Sequence, residues 1–213
     1  MLNKIKVIGK ILPFESKERN EMWKENPIIY FSLLVINPNN SSTILRCLAY
    51  GEIATKIKSE ARGEEVVEIS GHLKNERVGR QILVKVQEFT KLELDFEAVD
   101  FENSNQVQLR GKAVDFKFQP NQENPENLSF QIMLPYKRNM LVGFFCRVQG
   151  ELVPKISSQL KESQEVLVEG FLQTKKIVEN EGRIQRVSHV ICQSFALAKD
   201  NSVDAFDNPD KLT

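Results

Sequence analysis

The chain has 213 residues, enough for one large domain or two of about 100. Its 41% apolar and 27% charged residues match ordinary folded protein rather than a disordered chain, and no apolar run approaches the roughly 20 residues of a membrane span. Lysine plus arginine equal aspartate plus glutamate at 29 each, so no global positive field marks nucleic acid as a partner and any binding face must be local.

Residues 3–9, Asn-Lys-Ile-Lys-Val-Ile-Gly, open on a half-buried strand in which Ile5 and Val7 alternate with Lys4 and Lys6. A strand pattern this early leaves no room for a signal or transit peptide. The expected place is therefore the cytoplasm, or an organelle stroma or matrix if the gene is organellar. Residues 13–27 are irregular and polar and hold the only tryptophan, Trp23. Residues 28–36 read as a strongly apolar strand, 37–42 (Asn-Pro-Asn-Asn-Ser-Ser) as a loop, and 43–50 as the next strand. Residues 52–60 have helical composition, ended by Arg62-Gly63, and 66–73 and 81–89 are two further strands. Three strands, a helix and two strands is the order of an OB barrel, with the helix plugging one end.

The same order then recurs. Strands are expected over 107–114, 128–134 and 140–149, a helix near 153–161 with Pro154 in its first turn, and strands from 166 onward. Gly51 and Gly150, Gly71 and Gly170, Phe31 and Phe130, Cys47 and Cys146, and Leu73 and Leu172 all repeat at one common spacing. Residues 3–9 have their counterpart in 105–111 at a slightly longer one. The chain therefore reads as a tandem of similar domains, 1–100 and 105–198, joined by a short polar linker and followed by an acidic tail at 199–213. The fold class is all-β with short helices, in two tandem OB-fold barrels. The opening strands of the two copies, 5–8 and 107–114, are apolar and edge-prone, which suits pairing with a second chain.

The stretch from Glu165 to Cys192 is the most informative. A strand is broken by Gly170, where a bulge or bend is expected. It continues as a second strand and returns through Glu179-Asn180-Glu181-Gly182. Its arms carry Lys175, Lys176, Arg183 and Arg186, which predicts a protruding basic hairpin. Cys47, Cys146 and Cys192 lie far apart without a Cys-x-x-Cys, and His72 and His189 are not at ligand spacing from them. Neither a disulfide framework nor a zinc site is expected, and no other cofactor. There is no phosphate-cradling glycine loop, no telling carboxylate–histidine pairing and no nucleophile motif, so the chain does not read as an enzyme.

Val-Leu-Val-Glu-Gly170-Phe-Leu-Gln-Thr-Lys-Lys176, with the acidic and glycine turn and the strand after it, resembles the final third of bacterial-type single-stranded DNA-binding proteins (SSB). Residues 3–9 resemble that family's opening strand, Tyr30-Phe-Ser-Leu-Leu its second, and Leu45-Arg-Cys-Leu-Ala-Tyr-Gly-Glu-Ile-Ala54 its third strand running into the helix. The resemblance covers nearly the whole chain and is to the tandem form with two OB domains per chain. It implies OB barrels, single-stranded DNA as ligand, and a homodimer presenting four OB domains. Replication or repair proteins would be further partners, and no membrane is involved. The family's acidic tip ends in Pro-Phe, whereas this tail ends in Lys211-Leu-Thr213.

Single strands need planar groups for base stacking and cations along the backbone path. Period 2 puts Ile44, Arg46, Leu48 and Tyr50 on one face of their strand, and Gly143, Phe145, Arg147 and Gln149 on the matching face of the second copy. The resemblance implies that this face meets DNA. Tyr50 matches the aromatic before the glycine, while Ile44 stands where the family commonly has tryptophan. Tyr136-Lys137-Arg138 forms a local basic loop signal. The expected DNA-binding set is Lys4, Lys6, Arg46, Tyr50, Lys74, Lys112, Tyr136, Lys137, Arg138, Phe145, Arg147, Lys175, Lys176, Arg183 and Arg186. Tyr50 and Phe145 are open to a second reading, as rings packed in a barrel. At the level of function the alternatives are an OB-fold adaptor of primosome type with weak DNA binding, and an RNA-binding variant.

Overall fold

The computed structural model describes residues 2–14, 21–23, 26–75, 81–121, 124–136, 140–178 and 184–198. The strand-rich pattern resolves into β1 (Leu2–Ile11), β2 (Glu21–Trp23), β3 (Asn26–Ile36), β4 (Ser42–Tyr50), helix α1 (Gly51–Glu60), β5 (Val66–Asn75) and β6 (Ile82–Lys91). A 3-10 turn at Phe96–Ala98 leads to β7 (Asn105–Asn121), β8 (Asn124–Tyr136), β9 (Met140–Gln149), helix α2 (Leu152–Gln159), β10 (Glu165–Val178) and β11 (Ile184–Leu197). The second copy's strands run longer than the sequence suggests, because polar residues such as Lys117, Gln119 and Asn121 still pair across the β7–β8 ladder.

Each half closes on itself. In the first, β1 pairs with β5, β5 with β6, β6 with β4 in parallel, β4 with β3, and β3 back to β1. In the second, β7, β10, β11, β9 and β8 close the same circuit, again with one parallel contact, β9 with β11. Closure removes the free sheet edges that a small β-protein must otherwise protect. Strand periodicity fills the interiors: Ile29, Phe31, Leu33 and Val35 of β3 face Leu45, Cys47 and Ala49 of β4, all buried. Helix α1 buries Ala54 and Ile57, and α2 buries Val153 and Ile156. The turn into each helix passes through a left-handed residue, Gly51 (φ 57°) and Gly150 (φ 66°), a conformation that favours glycine.

Gly170 bends its strand as expected, and Gly71 does the same at the matched place in the first half. The ladder shifts register between Ser70 and Gly71 in β5 and between Glu169 and Gly170 in β10. There the neighbouring strand comes so close that a β-carbon on Gly71 would collide with the Lys85 carbonyl, and one on Gly170 with the Ile191 carbonyl. Both bulges sit where the barrel wall turns and the hairpin arm begins.

The halves are joined by β1 and β7, which pair antiparallel from Leu2 opposite Arg110 to Val7 opposite Asn105. Ile5 faces Val107 in that ladder, and each is the other's counterpart in the repeat, so a local two-fold axis passes through this pair. Such a self-complementary contact is the kind that joins identical chains; here one chain supplies both sides. This corrects the reading of the opening strands as edges held ready for another chain, since those edges are already paired with each other. Further ties are reciprocal. The Asn75 amide donates to the Gly143 carbonyl, and the Thr174 N–H donates to the Thr43 hydroxyl at 2.8 Å. The Ile82 N–H also donates to the Ser188 hydroxyl at 3.2 Å.

Two asparagines mark the axis. Asn3 brackets Leu73, its amide donating to the Leu73 carbonyl and its own carbonyl accepting from the Leu73 N–H, both at 3.0 Å. Asn105 does the same to Leu172 at 2.8 and 3.1 Å, and its amide also reaches the Asn37 side-chain oxygen of the first barrel at 2.8 Å. Asn105 and Asn37 are both buried, so their polar atoms depend on protein partners rather than on water.

Candidate nucleic-acid interface

Strand β4 sets the geometry. Leu45, Cys47 and Ala49 point into the barrel, which leaves Ile44, Arg46, Leu48 and Tyr50 on the outside, as period 2 predicts. Register then assembles their neighbours. Strand β3 sets Tyr30 opposite Leu48 and Ser32 opposite Arg46, and β6 lays Leu83 beside Arg46 and Lys85 beside Leu48. Strand β5 adds His72 opposite Lys85 and Lys74 opposite Leu83.

This outer face has its own small apolar floor. Ile28, Leu48 and Leu83 are buried apart from the barrel core, and the rings of Tyr30 and Tyr50 pack on them. Both rings remain half-buried. The Arg46 guanidinium carbon lies 6.0 Å from the Tyr30 ring centre, and the Lys85 ammonium 5.6 Å from that of Tyr50. Rings braced from below, with cations beside them, are the parts needed for base stacking and phosphate neutralisation. Burial and the nearby Lys85 push the His72 pKa down, against a hydrogen bond with Gln87 that pushes it up. Lysine and arginine therefore carry the positive charge of this face at neutral pH.

The matching face of the second barrel is poorer. Phe145 lies on the outer side of β9, opposite Gln131, while Phe144 is buried in the core. The Phe145 ring meets His189 edge-on at 6.4 Å. Arg147 sits opposite Ser129 and beside Ile191. By repeat position Ser129 stands for Tyr30, Gln149 for Tyr50, Ile191 for Lys85 and Gln173 for Lys74, so both tyrosines and both lysines are missing.

The remaining expected residues fall into separate groups. Lys175 and Lys176 are exposed on the outer arm of β10, where Lys176 pairs across the ladder with Arg186. Ile177 and Val178, at 46% and 70% exposure, continue that arm. Tyr136 is exposed at the end of β8, opposite Met140. Lys4, Lys6 and Lys112 lie on β1 and β7, around the two-fold axis and away from β4. There Lys6 is held by Glu68 at 2.9 Å, Lys4 faces Gln108, and Lys112 faces Glu165. Arg110, also on β7, pairs with Glu165 at 3.0 Å. Lys137, Arg138, Arg183 and the tail at 199–213 lie outside the described residues.

Sequence reasoning passes over Tyr30 and Lys85. Tyr30 is hidden in a run that reads as apolar throughout. Lys85 shows only as one polar residue between Val84 and Val86, a signal that gains meaning once β6 is known to lie beside β4. The cysteines contribute nothing to the site: all three are buried free thiols, and burial raises their pKa values, that of Cys192 to about 12. Among the described residues no cluster of three or more His, Cys, Asp or Glu is arranged to hold a metal ion, and no helix is long and apolar enough to cross a membrane.

No protein-family model and no curated protein matches the sequence. Among solved structures, the chain is similar to the wild-type single-stranded DNA-binding protein from Thermus aquaticus over 96% of its own length and 97% of that chain, with a TM-score of 0.66 and 17% identity. A deletion mutant of the same Thermus protein matches over 94% and 96%, with a TM-score of 0.64 and 15% identity. At this identity the likeness is one of fold, and it runs the length of both chains.

Proposed function

We propose that this protein binds single-stranded DNA with little sequence preference, coating and protecting it in replication, recombination and repair, and that it catalyses no reaction. The observation that carries this reading is the outer face of the first barrel. Tyr30 and Tyr50 stand there on an apolar floor with Arg46 and Lys85 beside them. The fold shared with the Thermus single-stranded DNA-binding protein supports the choice of ligand. Its place is wherever single strands arise, in the cytoplasm and nucleoid or in an organelle matrix. Titration with dT, dA and RNA oligonucleotides of graded length, repeated over a range of salt, tests the proposal. The expected result is binding of dT and dA strands that weakens linearly in log–log form as salt rises. Absence of binding at low salt, or binding confined to RNA, would overturn it.

The β10 arm is assigned to the DNA backbone, by its exposed Lys175 and Lys176 and by Arg186 across the ladder. Replacing Lys175, Lys176, Arg183 and Arg186 with alanine is expected to flatten the salt slope by about 0.7 for each phosphate that these cations neutralise in the parent. An unchanged slope would remove this arm from the binding path.

The reading extends to a dimer of chains presenting four barrels, supported by the resemblance to the tandem form of the family. Because β1 and β7 spend their edges on each other, that dimer has to use another surface. Light scattering at micromolar protein is expected to give twice the chain mass. A second reading, an adaptor that contacts other proteins, draws on the exposed Met140, Leu141, Ile177 and Val178 of the second barrel. It gains ground if oligonucleotides fail to bind.

A further inference from the structure

The internal two-fold relation supplies a comparison within one molecule. Two barrels of the same topology present the same outer face, built from equivalent strands, so their differences are differences of side chain at fixed position. In the first barrel those positions hold Tyr30, Tyr50 and Lys85, joined into one packed group by Ile28, Leu48 and Leu83. In the second they hold Ser129, Gln149 and Ile191. Of the outward rings described there, Phe171, at the position of His72 and opposite Ile191, is buried, and Phe145 meets His189 by its edge; neither has a tyrosine beside it at the matched positions. Exposed cations without acidic partners across the ladder lie instead on the second barrel's arm, at Lys175 and Lys176.

From this we infer a division of labour along the bound strand: the first barrel holds bases and the second holds only backbone. The inference rests on the single-stranded DNA reading and sharpens it. Stacking requires an accessible ring face in a fixed place, which the tyrosine pair offers. Phosphate neutralisation requires only cations along a path and is indifferent to whether bases are present. A strand crossing the whole chain would therefore be read as base-bearing on one half and as a bare polyanion on the other. The two barrels, alike in fold, would differ in salt sensitivity as well as in the groups they recognise.

The test compares dT20 with an abasic strand of equal length and charge, at one salt concentration, for four proteins. For the parent, dT20 is expected to bind roughly tenfold or more tighter than the abasic strand, the margin that a few stacked bases supply. In Tyr30→Ala/Tyr50→Ala this ratio is expected to fall to about one, the affinity for the abasic strand being unchanged. Phe145→Ala is expected to keep the parent ratio. Tyr30→Phe/Tyr50→Phe, which keeps both rings and guards against a folding artefact, is also expected to keep it. A ratio that survives removal of both tyrosines, or one that Phe145→Ala lowers as much, would overturn the inference while leaving single-strand binding intact. A parent that binds neither strand would instead remove the functional reading and this inference with it.

Discussion

Alanine at Tyr50 is expected to weaken binding of a single-stranded oligonucleotide by about 1–3 kcal/mol, the usual worth of one stacked base, while leaving the chain folded. The reason lies in where the ring sits. Tyr50 is half-buried on the outer face of β4, supported by Ile28, Leu48 and Leu83 and approached by Lys85. Phe31 provides the contrast, since it is 1% exposed in the barrel interior. Phe31→Ala should cost roughly 3–5 kcal/mol of stability through the cavity it leaves, and any loss of binding should follow the loss of folded protein. Tyr50→Ala should reverse that pattern. Parallel measurements of the unfolding midpoint and of dT affinity at a fixed temperature distinguish them. A Tyr50→Ala protein that unfolds as early as Phe31→Ala and binds in proportion to its folded fraction would assign the ring to packing.

The second large effect is expected at Asn105. Its side chain satisfies the N–H and carbonyl of Leu172 and the side-chain oxygen of Asn37, all in a buried setting. Truncation to alanine leaves these groups without partners, at about 1–3 kcal/mol for each buried group that water cannot reach. The expected total is roughly 3 kcal/mol or more, and it should loosen the union of the two barrels as well as β7 and β10. Asn3 makes the same pair of bonds to Leu73 in a part-buried setting. Asn3→Ala should therefore cost only about 1 kcal/mol. Urea unfolding measures both, with the slope of the transition reporting whether the barrels still unfold together. Equal costs at the two positions would show that the bond to Asn37 contributes nothing.

Much of this architecture is legible before any coordinates are seen, and the reasons are local. A repeat is visible because glycines, cysteines and phenylalanines recur at structurally forced places. Gly71 and Gly170 cannot carry a β-carbon against the neighbouring strand, and Cys47 and Cys146 fill the same inward position of β4 and β9. Strand parity separates Tyr50 and Arg46 from Cys47 because successive side chains must alternate. It likewise separates Phe145 from Phe144, of which only the latter is in the core.

What escapes the sequence is choice of partner. The pattern of β1 states that one face is buried and an edge is open, and any complementary copy of that edge would satisfy it. Nothing in the periodicity says that the copy is β7 of the same chain. The same limit hides Lys85, whose place beside Leu48 depends on β6 lying parallel to β4. It also hides that Lys6 meets Glu68 and that Lys112 faces Glu165 on neighbouring strands. Charge along a sequence is visible; the charge opposite it on the next strand requires the register.

The central claim is that bases stack on the outer face of the first barrel, and the most direct measurement of it is photochemical. Irradiating the complex with an oligonucleotide carrying 5-iodouracil, then locating the adducts by peptide mass spectrometry, identifies the rings in contact with bases. Adducts are predicted at Tyr30 and Tyr50 and in no larger yield elsewhere. Adducts confined to second-barrel rings such as Phe145 or Tyr136, or a tightly bound strand that yields none on either tyrosine, would contradict the account.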